Sequence, residues 1–143
     1  MIEVLAPIDA PPEEIWRVLI DVERWPEWTP SVTRVEKLDA GPMRPGQRVR
    51  IEQPKLPKLT WRVTDVSLER SFTWATESPG LRTVGGHEIV ESAAGRQIRL
   101  TVDQRGVLAP LVRLLTGRRT RRYMEQEAQG LKRRSESGAN QRD

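Results

Sequence analysis

The spacing of apolar residues changes period twice along this chain, and that change restricts the fold more than any one motif. Up to Pro30 the apolar positions follow a short strand and then helical spacing. From Val32 to Arg105 they alternate, in runs separated by turn residues. From Val107 onward the spacing is helical again and stays so for almost thirty residues. Alternation places every second side chain on one face of a sheet, whereas a 3.6-residue period places a stripe along a helix.

Read in order, Ile2 to Leu5 forms a strand that Pro7 closes. Asp9-Ala10-Pro11-Pro12-Glu13-Glu14 starts a helix, with Asp9 or Ala10 near the cap, prolines in the first turn and acids near its positive end. Asp21 can cap a second short helix that ends before Pro26. Trp25-Pro26-Glu27-Trp28-Thr29-Pro30 is a rigid corner, and its two tryptophans read as packing residues. Strands follow over Val32–Leu38, Arg48–Gln53, Leu59–Leu68, Phe72–Glu77, Arg82–Glu91 and Arg96–Arg105. Gly- and Pro-containing turns separate them. The last helix carries the stripe Leu114, Gly117, Thr120 or Arg121, Met124, Ala128, Leu131. Gly117 and Gly130 weaken that helix slightly. Residues 136–143 are polar and are expected to form a disordered tail, which leaves residues 1–135 as a single domain.

Short turns between neighbouring strands imply an antiparallel meander. Its inner face needs cover, and the last helix is the only large amphipathic element available. The expected fold class is therefore α+β: a curved antiparallel sheet of about six to seven strands around a long C-terminal helix, with two short helices after the first strand. A sheet this wide does not close fully over one helix, so an apolar cavity is expected between them.

Composition narrows the function. The chain has no cysteine, which removes disulfides, thiolate metal sites and a cysteine nucleophile. One histidine without neighbouring carboxylates is poor provision for a metal, so neither a metal nor a cofactor is expected. Residues 113–143 carry nine Lys and Arg against four Asp and Glu, so the basic excess lies at the C-terminal end. The Arg118-Arg119-Thr120-Arg121-Arg122 cluster could bind phosphate or anionic lipid, but with no aromatic residues beside it for stacking and no Gly-rich phosphate loop it reads as a solvated helix face, and no nucleic-acid partner is expected. Neither a secretory leader nor a membrane span is apparent, and a cytoplasmic monomer or homodimer is the expectation.

His87 lies in strand phase with Gly85, Ile89 and Glu91, and should face the cavity. A cavity histidine can act as a general base near neutral pH, or serve as a polar anchor or a core residue bonded to backbone. Trp61 is in phase with Leu59 and Val63, and Trp74 with Phe72 and Thr76; both can wall a cavity or simply fill core. The expected cavity set is Val49, Ile51, Gln53, Trp61, Val63, Trp74, Thr76, His87, Ile89, Leu100, Gln104 and Met124, joined by the Leu114–Met124 face of the helix. Tyr123 can pack, or polarise a ligand carbonyl. Sparse polar points in an apolar pocket suit binding better than multistep catalysis.

The residues also carry a family resemblance. Ala10-Pro11-Pro12-Glu13-Glu14-Ile15-Trp16, the stretch from Asp21 to Pro30, Pro42-Met43-Arg44-Pro45-Gly46, Trp61-Arg62-Val63-Thr64, Phe72-Thr73-Trp74, Gly86-His87-Glu88-Ile89 and Gly106-Val107-Leu108-Ala109-Pro110-Leu111 follow in an order that resembles the START/Bet v 1-like superfamily. More narrowly, it is similar to the bacterial polyketide cyclase/dehydrase and lipid-transport-like group. The resemblance spans Ile2 to about Ser135 and implies the helix-grip fold. It also implies one of three functions: binding or transport of a small hydrophobic ligand, lipid-like or aromatic; polyketide cyclisation or dehydration, with His87 as base and Tyr123 or a water as partner; or protein interaction.

Overall fold

A computed structural model describes the chain through Arg142, with side chains described through Gly138. Seven strands form one antiparallel sheet: β1 (Ile2–Pro7), β2 (Arg34–Lys37), β3 (Arg48–Glu52), β4 (Leu59–Ser67), β5 (Ser71–Ser78), β6 (Leu81–Ser92) and β7 (Gly95–Arg105). Their order across the sheet is β1-β7-β6-β5-β4-β3-β2. The strands after the corner thus form a meander, and β1 returns to pair with β7 at the far edge. Helix α1 (Pro12–Ile20) and a 3₁₀ helix (Val22–Glu27) follow β1, and α2 (Ala109–Arg142) crosses the concave face. This is the helix-grip arrangement expected from the order of elements.

The short helices are held differently from expectation. Pro12 occupies the first turn of α1, but Pro11 stands at the cap and no side chain caps the helix. Asp21 likewise makes no side-chain cap, and the second element is a 3₁₀ turn that contains Pro26 instead of ending before it. A tight 3₁₀ turn tolerates Pro26 because it is too short to need a long ladder of N–H donors. Trp25 then becomes the corner's pin: it is buried, and its Nε1–H donates to the Leu19 carbonyl at 2.9 Å.

Helix α2 runs past the expected boundary. The polar stretch from residue 136 continues the helix as far as Arg142, while Asp143 lies outside the described residues. Contacts hold the described part of that stretch in place. Glu136 accepts the Asp9 backbone N–H at 2.8 Å and the Lys132 ammonium at 2.6 Å. Ser135 is fully buried. The apolar stripe also begins later than expected. Tyr123, Met124, Ala128 and Leu131 are buried, but Leu114 is 81% exposed. In the first turns of α2 it is Val112 and Thr116 that face the sheet, so Leu114, on the other side of the helix, meets solvent and not the core. Gly130 does more than weaken the helix. A Cβ there would lie 1.9 Å from the Trp28 carbonyl oxygen, so only glycine lets α2 press against the 3₁₀ corner.

Candidate functional site

Two neighbouring cross-strand rows divide the concave face. One pairs Val63 with Trp74 and Trp74 with Gly85; the next pairs Phe72 with His87 and His87 with Leu100. Toward one end the inward residues are packed solid: Val49, Val63, Phe72, Ile89 and Ile98 are buried in one cluster with α1, the 3₁₀ corner and the C-terminal half of α2. On the other side the layers do not meet, and a cavity of about 330 Å³ remains. Its sheet walls are Ile51, Gln53, Leu59, Trp61, Trp74, Thr76, Thr83, Gly85, Leu100 and Gln104, and α2 contributes Val112, Thr116, Thr120, Tyr123 and Met124.

Most of the expected cavity residues therefore come together, but Val49, Val63 and Ile89 do not line the space. Their phase is right and their position along the strand is wrong. They lie at the end of the sheet that α1 and the Trp25–Trp28 corner cover, and alternation does not report where along a strand the cover ends. Leu114 is likewise absent from the wall. Val112 and Thr116, on the opposite side of the same turns, take its place.

Small residues open the cavity. Gly85 is the clearest case: a Cβ there would stand 3.1 Å from Trp74 Nε1 and 3.2 Å from its Cδ1. The missing side chain lets the indole lie flat across β6. Large residues make the floor. Trp25 meets Trp74 and Trp28 at ring-centre distances of 5.4 Å, and Trp61 meets Trp74 at 5.9 Å. Trp25 thus serves both as corner packing and as cavity floor, since it also faces the space.

His87 sits in this aromatic group. It is buried and stacks on Phe72, with ring centres 4.1 Å apart and planes 13° from parallel. Trp74 meets it edge-on at 5.3 Å. Its Nδ1 lies 3.3 Å from the Phe72 carbonyl oxygen, so an Nδ1–H donates there. Its Nε2 faces the carboxylate of Glu127, 3.4 Å from Oε1. That separation is long for a hydrogen bond, and Glu127 Oε1 is enclosed with no hydrogen-bond partner among the described residues. With Nδ1–H spent on the carbonyl, neutral His87 presents a lone pair at Nε2 beside a second acceptor on Glu127. Two acceptors so placed need a donor: a ligand O–H or N–H, a water, or a proton on Nε2.

Glu127 is the functional candidate that sequence reasoning missed. Its neighbours Glu125 and Gln126 read as polar face, but Glu127 stands four residues after Tyr123, three after Met124 and four before Leu131. That spacing puts it on the buried face, beside His87. Among the described residues, no group of three metal-ligating side chains forms.

Three other polar positions, Gln53, Thr76 and Tyr123, are turned to backbone. Gln53 Nε2 donates to the Ser31 carbonyl at 3.2 Å and Thr76 Oγ1 to the Thr60 carbonyl at 2.8 Å. Tyr123 donates its hydroxyl proton to the Pro54 carbonyl at 2.5 Å. The phenol is thus committed to fastening α2 to the loop after β3.

Comparison with known proteins agrees with this architecture. A hypothetical protein from Helicobacter pylori superposes with a TM-score of 0.77 at 15% identity, covering 94% of this chain and 85% of that one. A protein from Thermus thermophilus gives 0.74 at 19% identity, covering 96% and 98%. The Zhui aromatase/cyclase from a Streptomyces species gives 0.72 at 19% identity, covering 94% and 92%. At these identities the likeness is one of fold. No curated protein matches the sequence. No helix among the described residues is long and apolar enough to cross a membrane. The family model described as polyketide cyclase/dehydrase and lipid transport matches residues 2–136, and with the helix-grip fold this places the chain in that family, within the START/Bet v 1-like superfamily.

Proposed function

We propose that this protein binds a small, largely apolar molecule in the cavity between sheet and helix, and holds one hydrogen-bond donor of that molecule at Glu127 and His87. The observation that carries this reading is the enclosed Glu127 oxygen without a hydrogen-bond partner, set in a space walled by three tryptophans and aliphatic side chains. A cavity of about 330 Å³ is at the lower end for small-molecule sites, so the ligand is compact: a fused-ring aromatic or a short lipid-like chain. Flat rings suit the indole faces of Trp61 and Trp74. A hydroxyl at one end reaches the carboxylate.

The test uses 2-naphthol and its methyl ether, which share the ring system and differ by one donor. Tryptophan fluorescence should report saturable binding of both, since Trp25, Trp61 and Trp74 face the space. A hydrogen bond to a charged group contributes about 1.5–3 kcal/mol, so the naphthol should bind roughly ten- to a hundredfold tighter. Glu127→Ala should erase that preference. Equal affinities in the parent protein sink the anchoring role, and absence of saturable binding by either compound, with native mass spectrometry finding no co-purified ligand, sinks the binding role.

A second reading rests on the same pair. A carboxylate and an imidazole side by side in an apolar space can take a proton from a carbon next to a carbonyl, the first step of an aldol-type cyclisation. The binding reading is favoured because the acid partner proposed for such a step, the Tyr123 hydroxyl, is spent on Pro54. Loss of turnover of an aromatic polyketide surrogate in His87→Ala, with ligand affinity intact, would reverse that preference.

A further inference from the structure

The first turns of α2 expose an apolar surface that the cavity does not use. Val107 is 87% exposed, Leu114 81% and Leu115 72%, and Leu111 is exposed beside them. Such large apolar side chains standing together in water call for a partner. One turn further along the same side stand Arg118 and Arg122, with Arg119 and Arg121 at the flanks. Between Gly106 and Met124 the chain has five arginines and no acidic residue. Among the described residues none of the five meets a carboxylate: Arg113 donates to the Gln104 carbonyl at 2.5 Å and Arg121 to the Glu3 carbonyl at 3.3 Å.

We infer that this face docks the protein on an anionic lipid bilayer. The leucines supply apolar area for the acyl boundary and the arginines meet lipid phosphates, the combination that holds an amphipathic helix in a membrane interface. A second copy of the chain fits worse, because the face offers no carboxylate to an approaching arginine cluster. A nucleic acid would satisfy the arginines and leave the leucines in water. The placement also has a use. Val112, Thr116, Arg119 and Thr120 line the cavity from the very turns whose outer side carries the leucines. Docking through the outer side brings this cavity wall to the lipid surface, where an apolar ligand can pass without crossing water.

Sedimentation with vesicles tests the inference on the full chain. Binding to mixed phosphatidylcholine–phosphatidylglycerol vesicles should exceed binding to pure phosphatidylcholine at least tenfold, and should fall as salt is raised. Each arginine removed near such a surface should weaken partition about fivefold, so Arg118→Gln with Arg122→Gln should lose over an order of magnitude. Leu114→Ser with Leu115→Ser should abolish it. Those leucines are exposed, and unchanged circular dichroism and melting would show that the fold is intact. Equal partition to both vesicle types overturns the inference, as does wild-type partition by the leucine variant. A dimer in analytical ultracentrifugation that the leucine variant dissociates would also overturn it and assign the face to a second copy. None of these readouts depends on which ligand fills the cavity.

Discussion

Replacing Gly130 with alanine should destabilise this protein, although the same change one helical stretch earlier should stabilise it. In an exposed helix interior, alanine is favoured over glycine by about 1 kcal/mol. Gly117 meets that condition, since a Cβ there has no atom within 4 Å. Gly130 does not: the added carbon would lie 1.9 Å from the Trp28 carbonyl oxygen, 3.0 Å from its carbonyl carbon and 2.9 Å from Cε3 of its ring. Two of these atoms are backbone, so they cannot swing aside, and α2 must retreat from the corner. Overpacking of this kind costs about 1–3 kcal/mol, and an overlap this deep belongs at the upper end, which leaves a net loss near 2 kcal/mol after the helix gain. At roughly 2–4 °C per kcal/mol, Gly130→Ala should melt about 4–8 °C lower and Gly117→Ala a few degrees higher. Gly130 stands three residues after Glu127, so the retreat also widens the His87–Glu127 separation and should weaken naphthol binding. Scanning calorimetry on both variants decides the matter. If both melt higher by similar amounts, the close approach of helix and corner is wrong, and so is the account of what sets cavity depth.

The remaining predictions concern the floor, the corner and one surface pair. Gly85→Val should drive the Trp74 indole into the cavity, weaken dye or naphthol binding at least tenfold, and cost about 1–3 kcal/mol in urea unfolding; unchanged affinity would mean that Trp74 does not bound the site. Trp25→Phe strands the buried Leu19 carbonyl and should cost about 1–3 kcal/mol beyond the change in ring size, read from the urea midpoint. Arg48 grips Asp39 through its side chain and its backbone N–H, and holds that carboxyl down to about 2. A folded value below the unfolded one adds stability that is complete above the usual carboxylate range near 4 and is lost as pH falls through about 2. Asp39→Asn should therefore flatten the stability profile across that acid window and leave its shape at neutral pH alone; identical acid slopes in urea titrations would refute the assignment.

Much of the fold could be read from the chain because period and turn chemistry are local properties. The strands from Arg48 to Arg105 fell within a residue or two of their observed ends, since alternation and Gly or Pro turns act over a few residues. The end of α2 could not be read that way. Residues 136–142 look like a tail in isolation, and it is the Asp9 backbone N–H, from the opposite end of the chain, that donates to Glu136. Likewise, alternation assigned Val49, Val63 and Ile89 to the inner face correctly, yet whether an inner residue meets a helix or a void depends on where α1 and the corner lie. His87 was legible as an inward histidine. Its partner Glu127 was hidden by polar neighbours, although the spacing to Met124 and Leu131 held the clue.

Why the void lies at this end of the sheet follows from residue size on both layers. From the Phe72–His87 row toward the packed end the sheet presents Phe72, Ile89 and Ile98, and α2 answers with Ala128 and Leu131, which leaves no gap. From the Trp74–Gly85 row the other way the sheet presents Gly85, Thr76 and Thr83, and α2 answers with Thr116 and Thr120. Small residues facing small residues at a spacing fixed by the Gly130 contact leave a space by construction. A sealed, dry space of 330 Å³ would cost on the order of 8 kcal/mol at about 24 cal/mol per Å³, comparable to the whole net stability of a domain. Any occupant, water included, relieves part of that cost. Water can stand near Glu127, His87 and the threonines, but the indole faces of Trp61 and Trp74 offer it nothing. Those two kinds of wall, one polar corner and a broad aromatic floor, suit the proposed ligand, an apolar molecule with a single donor at one end.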